Sequence, residues 1–193
     1  MKEKIELRKK LKSISLVNLV HSSHVIEKLN SYIKNKIVCT YIPLNTEINI
    51  NNHLLTQSLL TTTAFVDNQV KICNLQEPLE INEFGIYQPV DLEFVDKVDI
   101  FLVPGLGFDI KGNRLGKGSG IYDKILSEFK YSTLFGVTDV NHIVDFIPYE
   151  KHDISMDALI THDEIIEIKK NKFTLILNVY YIIIFTLRLT YNL

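Results

Sequence analysis

The residues best suited to chemistry lie in one glycine-rich stretch, residues 112–126, which reads GNRLGKGSGIYDKIL. Six of the eight glycines in the chain fall between Gly105 and Gly120. Glycine weakens regular structure, so this density indicates a backbone that turns sharply or admits a close neighbour. The alternation of Gly116 and Gly118 with Gly120 lets backbone N–H groups converge on an anion. The stretch therefore favours a phosphate-binding loop.

Charged side chains beside these glycines support the same interpretation. Arg114 and Lys117 add positive charge next to the loop. Residues 119–130 have the apolar spacing of a helix, whose positive N-terminal end would face the bound anion. Asp123 lies in the first turn, where a carboxylate can hold Mg²⁺ beside a phosphate. The alternative is a glycine-rich surface turn with solvated charges, in which Asp123 only favours the helix dipole.

The two common nucleotide-binding motifs do not match this loop. The pattern G-x-x-x-x-G-K-[ST] fails because Gly112 and Gly116 are one residue too close and Gly118 follows Lys117. The pattern G-x-G-x-x-G fails because Asp123 stands where its last glycine belongs. The phosphate interpretation therefore depends on glycine spacing and charge rather than on a standard motif.

A continuous apolar run, VDIFLVPG at 98–105, comes directly before the loop and is the strongest predicted strand. Similar strands alternate with segments of helical spacing, which predicts an α/β fold: a three-layer α/β/α sandwich with a mostly parallel, Rossmann-like sheet. Ligands bind at the carboxyl ends of such strands, so the glycine-rich loop lies where a ligand is expected. The other predicted strands are 36–43, 133–137, 157–161 and two short runs within 63–73. The predicted helices are 5–14, 25–33 (capped by Ser22 or Ser23), 51–61 and 119–130.

The bulk composition is that of a globular protein. The chain has 193 residues, 46% of them hydrophobic and 23% charged, which is enough for one core without disulfides. The net charge of −2 argues against nucleic acid as a partner. Cys39 and Cys73 lie in apolar runs and are predicted to be core residues. The N-terminal segment lacks the apolar region of a signal peptide, so a cytoplasmic location is expected.

The segment FTLILNVYYIIIFTL at 173–187 is uncharged and mostly apolar. It is shorter than the ~20 residues that a membrane-spanning helix needs. Its β-branched and aromatic residues favour an additional packed element. A membrane or interface anchor, or an extension with no selected role, are the less favoured alternatives.

Residues 103–126, VPGLGFDIKGNRLGKGSGIYDKIL, resemble the signature of the 5-formyltetrahydrofolate cyclo-ligase family, V-P-G-x-x-F-D-x-x-G-x-R-L-G-x-G-K-G-Y-Y-D-x-x-L. Other segments resemble further parts of the family pattern: KIELR (4–8), YIPLNTEINI (41–50), FGIYQPV (84–90) and IPYEKHDISMDALITHDEI (147–165). The resemblance covers about residues 2–168. We therefore predict one cyclo-ligase-like domain at 1–168 and an apolar extension of unknown role at 169–193.

The resemblance implies an ATP- and Mg²⁺-dependent ligase. It would convert 5-formyltetrahydrofolate into 5,10-methenyltetrahydrofolate and release ADP and phosphate, by phosphorylation of the formyl oxygen followed by ring closure. The partner implied is a small-molecule reduced folate, and the expected assembly is a monomer or weak oligomer.

The resemblance also implies the residues of the site. Lys4 and Arg8 would bind ATP phosphates, and because they are four residues apart they share one helical face. Asp123 and Asp153 would hold Mg²⁺. The catalytic residues implied are Arg114 and Lys117. The folate-binding residues implied are Ile42, Glu47, Lys117, Gly118, Gly120 and Tyr122. The remaining ATP-binding residues implied are Arg114, Leu115, Gly116, Lys117, Gly118, Ser119, Gly120, Ile121 and Tyr122.

Two residues depart from the family pattern. Ser119 replaces the lysine of G-K-G, and Ile121 replaces the first tyrosine of Y-Y-D. A missing ammonium beside the transferred phosphoryl group would cost transition-state stabilisation unless Lys117 replaces it. These changes motivate one alternative, a family paralogue that binds nucleotide or folate without this activity. A second alternative is a sugar-phosphate or CoA-handling enzyme on a similar sheet.

Overall fold

The computed structural model describes residues 2–16, 21–54, 57–150 and 153–169. Helices and strands alternate along these ranges. The helices are α1 (Lys2–Lys12), α2 (Ser23–Ile33) and α3 (Ile121–Glu128). The strands are β1 (Ile37–Cys39), β2 (Leu59–Val66), β3 (Gln69–Asn74), β4 (Leu79–Ile81), β5 (Tyr87–Pro89), β6 (Ile100–Pro104), β7 (Gly107–Asp109), β8 (Arg114–Leu115), β9 (Thr133–Val137), β10 (Ile143–Val144), β11 (Ala158–Ile160) and β12 (Ile165–Glu167).

The main sheet has seven strands in the order β12-β11-β9-β6-β1-β2-β3. Its five central strands are parallel, and β3 and β12 add antiparallel edges. Counted along the chain, the parallel strands run 2-1-3-4-5, so the strand order reverses between β1 and β6. This reversal is the position at which open α/β sheets bind ligands. The predicted α/β fold with a mostly parallel sheet is confirmed.

Both faces of the sheet are covered by helices. Successive residues of β6 enter opposite cores, because side chains alternate along a strand. Ile100 and Leu102 pack in the core on the α2 side, and Phe101 and Val103 in the core on the α3 side. The helices contribute Val25, Leu29 and Ile33 from α2, and Ile125 and Leu126 from α3. This arrangement is the predicted three-layer sandwich.

A small second sheet, β10-β7-β8, carries the start of the glycine-rich loop. Its β7–β8 hairpin is held by Asp109, which is completely buried. One carboxylate oxygen accepts from the backbone N–H groups of Lys111 and Asn113, and the other accepts from the Asn113 side chain and the Ile147 backbone, all at 2.9–3.0 Å. Because its acceptors are used within the fold, Asp109 fixes the hairpin and thereby the position of Arg114.

Local predictions were confirmed where the apolar spacing was regular. Helix α2 begins at the predicted cap, since the Ser22 hydroxyl accepts from the Val25 backbone. Cys39 and Cys73 are buried free thiols, and burial raises the pKa of Cys39 to about 12 and of Cys73 to about 11. The predicted helix at 119–130 is the shorter α3.

The predicted helix at 51–61 is wrong. A single 3-10 turn covers Asn51–His53, and β2 begins at Leu59. The threonine run at 61–63 lies in β2 and pairs with β3, and its β-branched side chains suit a strand. Asp67 and Asn68 turn the β2–β3 hairpin with φ of 51° and 60°, the left-handed values that a two-residue hairpin loop requires.

The predicted C-terminal extension falls almost entirely outside the described residues, which end at Lys169. The boundary at 168 and the interpretation of 173–187 therefore stay predictions. Within the described ranges, no helix combines the length and apolar character needed to cross a membrane.

Candidate active site

A cavity of about 490 Å³ opens at the carboxyl ends of β1, β2 and β6, beside the reversal of strand order. Its lining brings together segments that are distant in the sequence: α1, the loop after β1, the glycine-rich loop and the segment around residue 150. Every residue that the sequence predicted for the site lines it: Lys4, Arg8, Ile42, Glu47, Arg114, Leu115, Gly116, Lys117, Gly118, Ser119, Gly120, Ile121, Tyr122, Asp123 and Asp153.

Arg114 is the most enclosed of the three cations that form ion pairs in the cavity. Its side chain is 7% exposed, and it donates to the Asp123 carboxylate at 3.3 Å and to the Pro104 carbonyl at 3.4 Å. Its guanidinium carbon lies 5.2 Å from the centre of the Tyr122 ring. Its Nε is buried without a hydrogen-bond partner in the part of the chain that the structure describes. Arg114 is thus a fixed cation with one donor still to be satisfied.

The glycines of the loop serve two different geometric needs. A Cβ at Gly116 would lie 2.8 Å from Nη1 of Arg114, so a side chain there would displace the guanidinium. Gly120 has a φ of +70° and precedes the first residue of α3, where nothing lies within 4 Å of an added Cβ. Gly116 therefore makes room for Arg114, and Gly120 supplies the left-handed backbone from which α3 begins at the cavity.

Helix α1 brings two cations to the same cavity. Arg8 donates from Nε to the Gly116 carbonyl at 2.9 Å, and Lys4 Nζ lies 2.6 Å from the Asp153 carboxylate. The shared helical face predicted for the two residues is confirmed. Leu11 anchors the end of the helix in a small core with Leu115. Packing therefore holds α1 against the glycine-rich loop.

Glu47 and Lys117 form a third ion pair in the cavity. Lys117 Nζ lies 2.7 Å from one Glu47 oxygen, and the other oxygen accepts from the Leu44 backbone at 3.0 Å. Two tyrosines stand in the same lining: burial raises the pKa of Tyr41 and of Tyr122 above the ordinary value for tyrosine. Both phenols are therefore neutral at physiological pH.

The charges of the cavity fit a phosphate ligand. Four cations line it together with four carboxylates, and two of these carboxylates, Asp123 and Asp153, come from separate segments. In the described ranges no group of three or more His, Cys, Asp or Glu side chains can hold a metal ion. Mg²⁺ at phosphate sites typically takes one or two carboxylates and completes its shell with phosphate oxygens and water. The two carboxylates therefore suit a metal that arrives with a phosphate.

The cavity has an apolar wall that no sequence pattern indicated. Thr63 and Phe65 of β2 and Ile86 and Tyr87 of the β4–β5 region line it, and the Phe65 ring packs 4.9 Å from Phe84. Ile86 and Tyr87 belong to the segment FGIYQPV, for which the family resemblance implies no residue role. Alternation along β2 could have indicated which of its residues share a face, but not that β5 lies beside them.

Comparison with known proteins supports the resemblance. The model of the 5-formyltetrahydrofolate cyclo-ligase family matches residues 2–162. A 5-formyltetrahydrofolate cyclo-ligase of Saccharomyces cerevisiae is 43% identical over 79 residues, which are 37% of each chain. One of Mus musculus is 25% identical over 185 residues, covering 82% of this chain and 91% of the relative.

The fold is shared with a solved structure, 5,10-methenyltetrahydrofolate synthetase of Aquifex aeolicus. The two superpose with a TM-score of 0.68 at 29% identity, over 87% of this chain and 94% of that one. The yeast alignment, in contrast, spans well under half the length of that relative. The family model matches most of the chain, and so the chain belongs to the 5-formyltetrahydrofolate cyclo-ligase family.

Proposed function

We propose that this protein converts 5-formyltetrahydrofolate and ATP into 5,10-methenyltetrahydrofolate, ADP and phosphate. The observation that carries the proposal is the cavity at the reversal of strand order, where a cation-rich glycine loop faces a carboxylate and an apolar wall. The names of the relatives, which are cyclo-ligases and a methenyltetrahydrofolate synthetase, supply the reaction.

The glycine-rich loop would bind the triphosphate. Lys4 and Arg8 approach from α1, and the N-terminal end of α3 adds backbone N–H groups. Arg114, which is enclosed and paired with Asp123, would neutralise charge on the transferred phosphoryl group. Mg²⁺, held by Asp123 and Asp153, would supply further neutralisation of the phosphates.

The folate would occupy the side of the cavity that carries Glu47. A carboxylate can accept two parallel N–H bonds from the edge of a pterin ring. Ile42 and Tyr122 would contact the ring, and we add Phe65 and Tyr87 as apolar contacts for the rest of the substrate. Contact between the pterin ring and these side chains would also exclude water from the reacting atoms.

The reaction needs positioning rather than a protein nucleophile. The formyl oxygen attacks the terminal phosphorus of ATP, and the bond to ADP breaks. The neighbouring folate amine then attacks the formyl carbon, loses its proton, and the carbon–oxygen bond to phosphate breaks as the ring closes. Arg114 and Lys117 would stabilise charge during the first transfer, which is mainly an electrostatic task.

One assay tests this proposal. Purified protein with 5-formyltetrahydrofolate and Mg-ATP should show the absorbance of the methenyl product, with ADP formed in equal amount. Absence of product at high enzyme concentration, with ATP still bound, would favour the paralogue that binds without this activity. Product formed without ATP would overturn the mechanism.

We also propose a cytoplasmic location and a monomeric or weakly oligomeric state. A relative in Arabidopsis thaliana is named as mitochondrial, so location varies among similar proteins. Cell fractionation and light scattering test these two expectations directly.

A further inference from the structure

The ion pair between Glu47 and Lys117 joins the two halves of the proposed site. Glu47 belongs to the loop after β1, where the folate is expected, and Lys117 belongs to the glycine-rich loop, where the nucleotide is expected. Their charged atoms are 2.7 Å apart, and the Glu47 side chain is 13% exposed. The carboxylate proposed to receive the pterin is therefore already bound to a cation of the nucleotide site.

Lys117 has more freedom than the other paired cations of the cavity. Its side chain is 37% exposed, compared with 15% for Lys4 and 7% for Arg114. It stands between Gly116 and Gly118, and the backbone φ of Gly118 is +112°. Glycine on both sides lets the backbone at this position adjust at low cost.

We propose that Lys117 exchanges its partner, leaving Glu47 for the terminal phosphates of the nucleotide, so that nucleotide binding makes Glu47 available to the folate. This inference rests on the proposed function. A triphosphate carries more negative charge than a carboxylate, which favours the exchange. Ser119 supplies no ammonium where the family pattern has one, so Lys117 is the lysine that the loop offers to the phosphates.

Glu47 keeps its orientation when Lys117 leaves. Its second oxygen still accepts from the Leu44 backbone, so the carboxylate is held toward the cavity. Nucleotide binding, rather than folate binding, then supplies the free energy that breaks the ion pair. Folate affinity should therefore rise when nucleotide is bound, and by linkage nucleotide affinity should rise by the same factor when folate is bound.

The test is calorimetric titration of 5-formyltetrahydrofolate with and without the β,γ-imido analogue of ATP and Mg²⁺. In the wild-type protein we expect folate to bind about tenfold more tightly with the analogue, within the usual range of coupling between sites. In Lys117→Met, folate affinity without the analogue should rise, analogue affinity should fall, and the coupling factor should approach one. Lys130→Met, at an exposed position outside the cavity, is the matched control.

Two opposite shifts in affinity cannot come from a general loss of structure. If Lys117→Met is poorly folded by circular dichroism, Lys117→Gln removes the same charge with less change in polarity. Wild-type protein that binds both ligands without coupling, or a lysine variant that keeps full coupling, would overturn the exchange while leaving the proposed function intact. Failure of wild-type protein to bind 5-formyltetrahydrofolate under any condition would overturn both proposals.

Discussion

At the residue scale, the cavity is built from cations and carboxylates that are both expected to contact ligands. Arg114 is paired with Asp123, Lys4 with Asp153, and Lys117 with Glu47. Each pair holds opposite charges in contact, so a bound phosphate or metal ion would have to replace or share one of the partners. The residue that the family pattern would add to this set is a lysine, and Ser119 stands in its place.

The first prediction concerns Ser119. Ser119→Lys should raise kcat about tenfold, since one added ammonium near the transferred phosphoryl group is worth ~1.4 kcal/mol of transition-state stabilisation. The measurement is kcat and KM for both substrates. Ser127→Lys adds the same charge to the exposed face of α3 and should leave kcat unchanged. A kcat of Ser119→Lys equal to the wild-type value would contradict the prediction and assign the whole task to Lys117.

The second prediction separates two glycines of the loop. Gly116→Ala should lower kcat/KM at least tenfold, because the added Cβ displaces the Arg114 guanidinium. Gly120→Ala meets no neighbour but retains a φ of +70°, so it should lower the free energy of unfolding by about 1 kcal/mol with a smaller effect on kcat/KM. Denaturant unfolding and steady-state kinetics measure both. Equal kinetic losses in the two variants would argue against a positioning role for Gly116.

At the element scale, the site depends on how α1 docks. The helix is strongly polar. Its buried residue Leu11 and the partly buried Leu7 pack in the core with Leu115 and Ile147, and Lys4 and Arg8 add polar contacts. The buried Asp109 ties the second sheet to Ile147. The same core and sheet therefore position the cations of α1 and the glycine-rich loop, although 108 residues separate Arg8 from Gly116.

The third prediction concerns the cations that α1 contributes to the cavity. Arg8→Met should weaken binding of the nucleotide analogue about tenfold, because a charge-assisted contact worth roughly 1.5 kcal/mol is lost. Lys9→Met, which removes an exposed charge from the neighbouring position of the same helix, should bind the analogue like the wild type. Calorimetric titration measures both variants. Equal weakening by the two substitutions would indicate a general electrostatic effect of α1 rather than a contact.

At the scale of the whole molecule, a histidine cluster that does not line the cavity is expected to contribute to the response to acid. His21 is 2% exposed, its ring lies 5.7 Å from that of His53, and both its nitrogens lack hydrogen-bond partners among the described residues. Burial, with His53 and His162 nearby, lowers the pKa of His21 to about 4. The fold therefore favours the neutral ring, and protonation opposes folding.

The fourth prediction follows from the sign of that shift. The stabilisation from neutral His21 is fully present above about pH 6.5 and is lost as the pH falls toward 4. The loss should be on the order of 3 kcal/mol. His21→Leu should flatten the fall in unfolding free energy across this window, measured by denaturant titration at several pH values. His24→Leu, on the exposed side of α2, should keep the wild-type slope. A His21→Leu slope equal to that of the wild type would contradict the assignment.

The sequence predicted most of the sheet, and the residues that it proposed for the site all line one cavity. Strands such as β6 are continuous apolar runs, and the local spacing of α2 contains its own cap, so both could be recognised without tertiary information. The predicted helix at 51–61 runs into β2, because the spacing of apolar residues does not distinguish a helix from a strand around the threonines at 61–63. Pairing with β1 and β3 decides that this segment is a strand. The apolar wall from β2 and β5 was missed because no local pattern relates the two strands.

The sequence alone is enough to place a glycine-rich loop with Arg114, Lys117 and Asp123 after a buried strand. Which charged side chains contact each other depends on the tertiary structure. Lys4 and Asp153 are 149 positions apart, and Glu47 and Lys117 are 70 apart, yet each pair is in contact. Periodicity fixes the face on which a side chain lies, but its neighbours depend on strand order and on where the connecting segments dock. The ion pairs that link the two halves of the cavity are therefore properties of the fold.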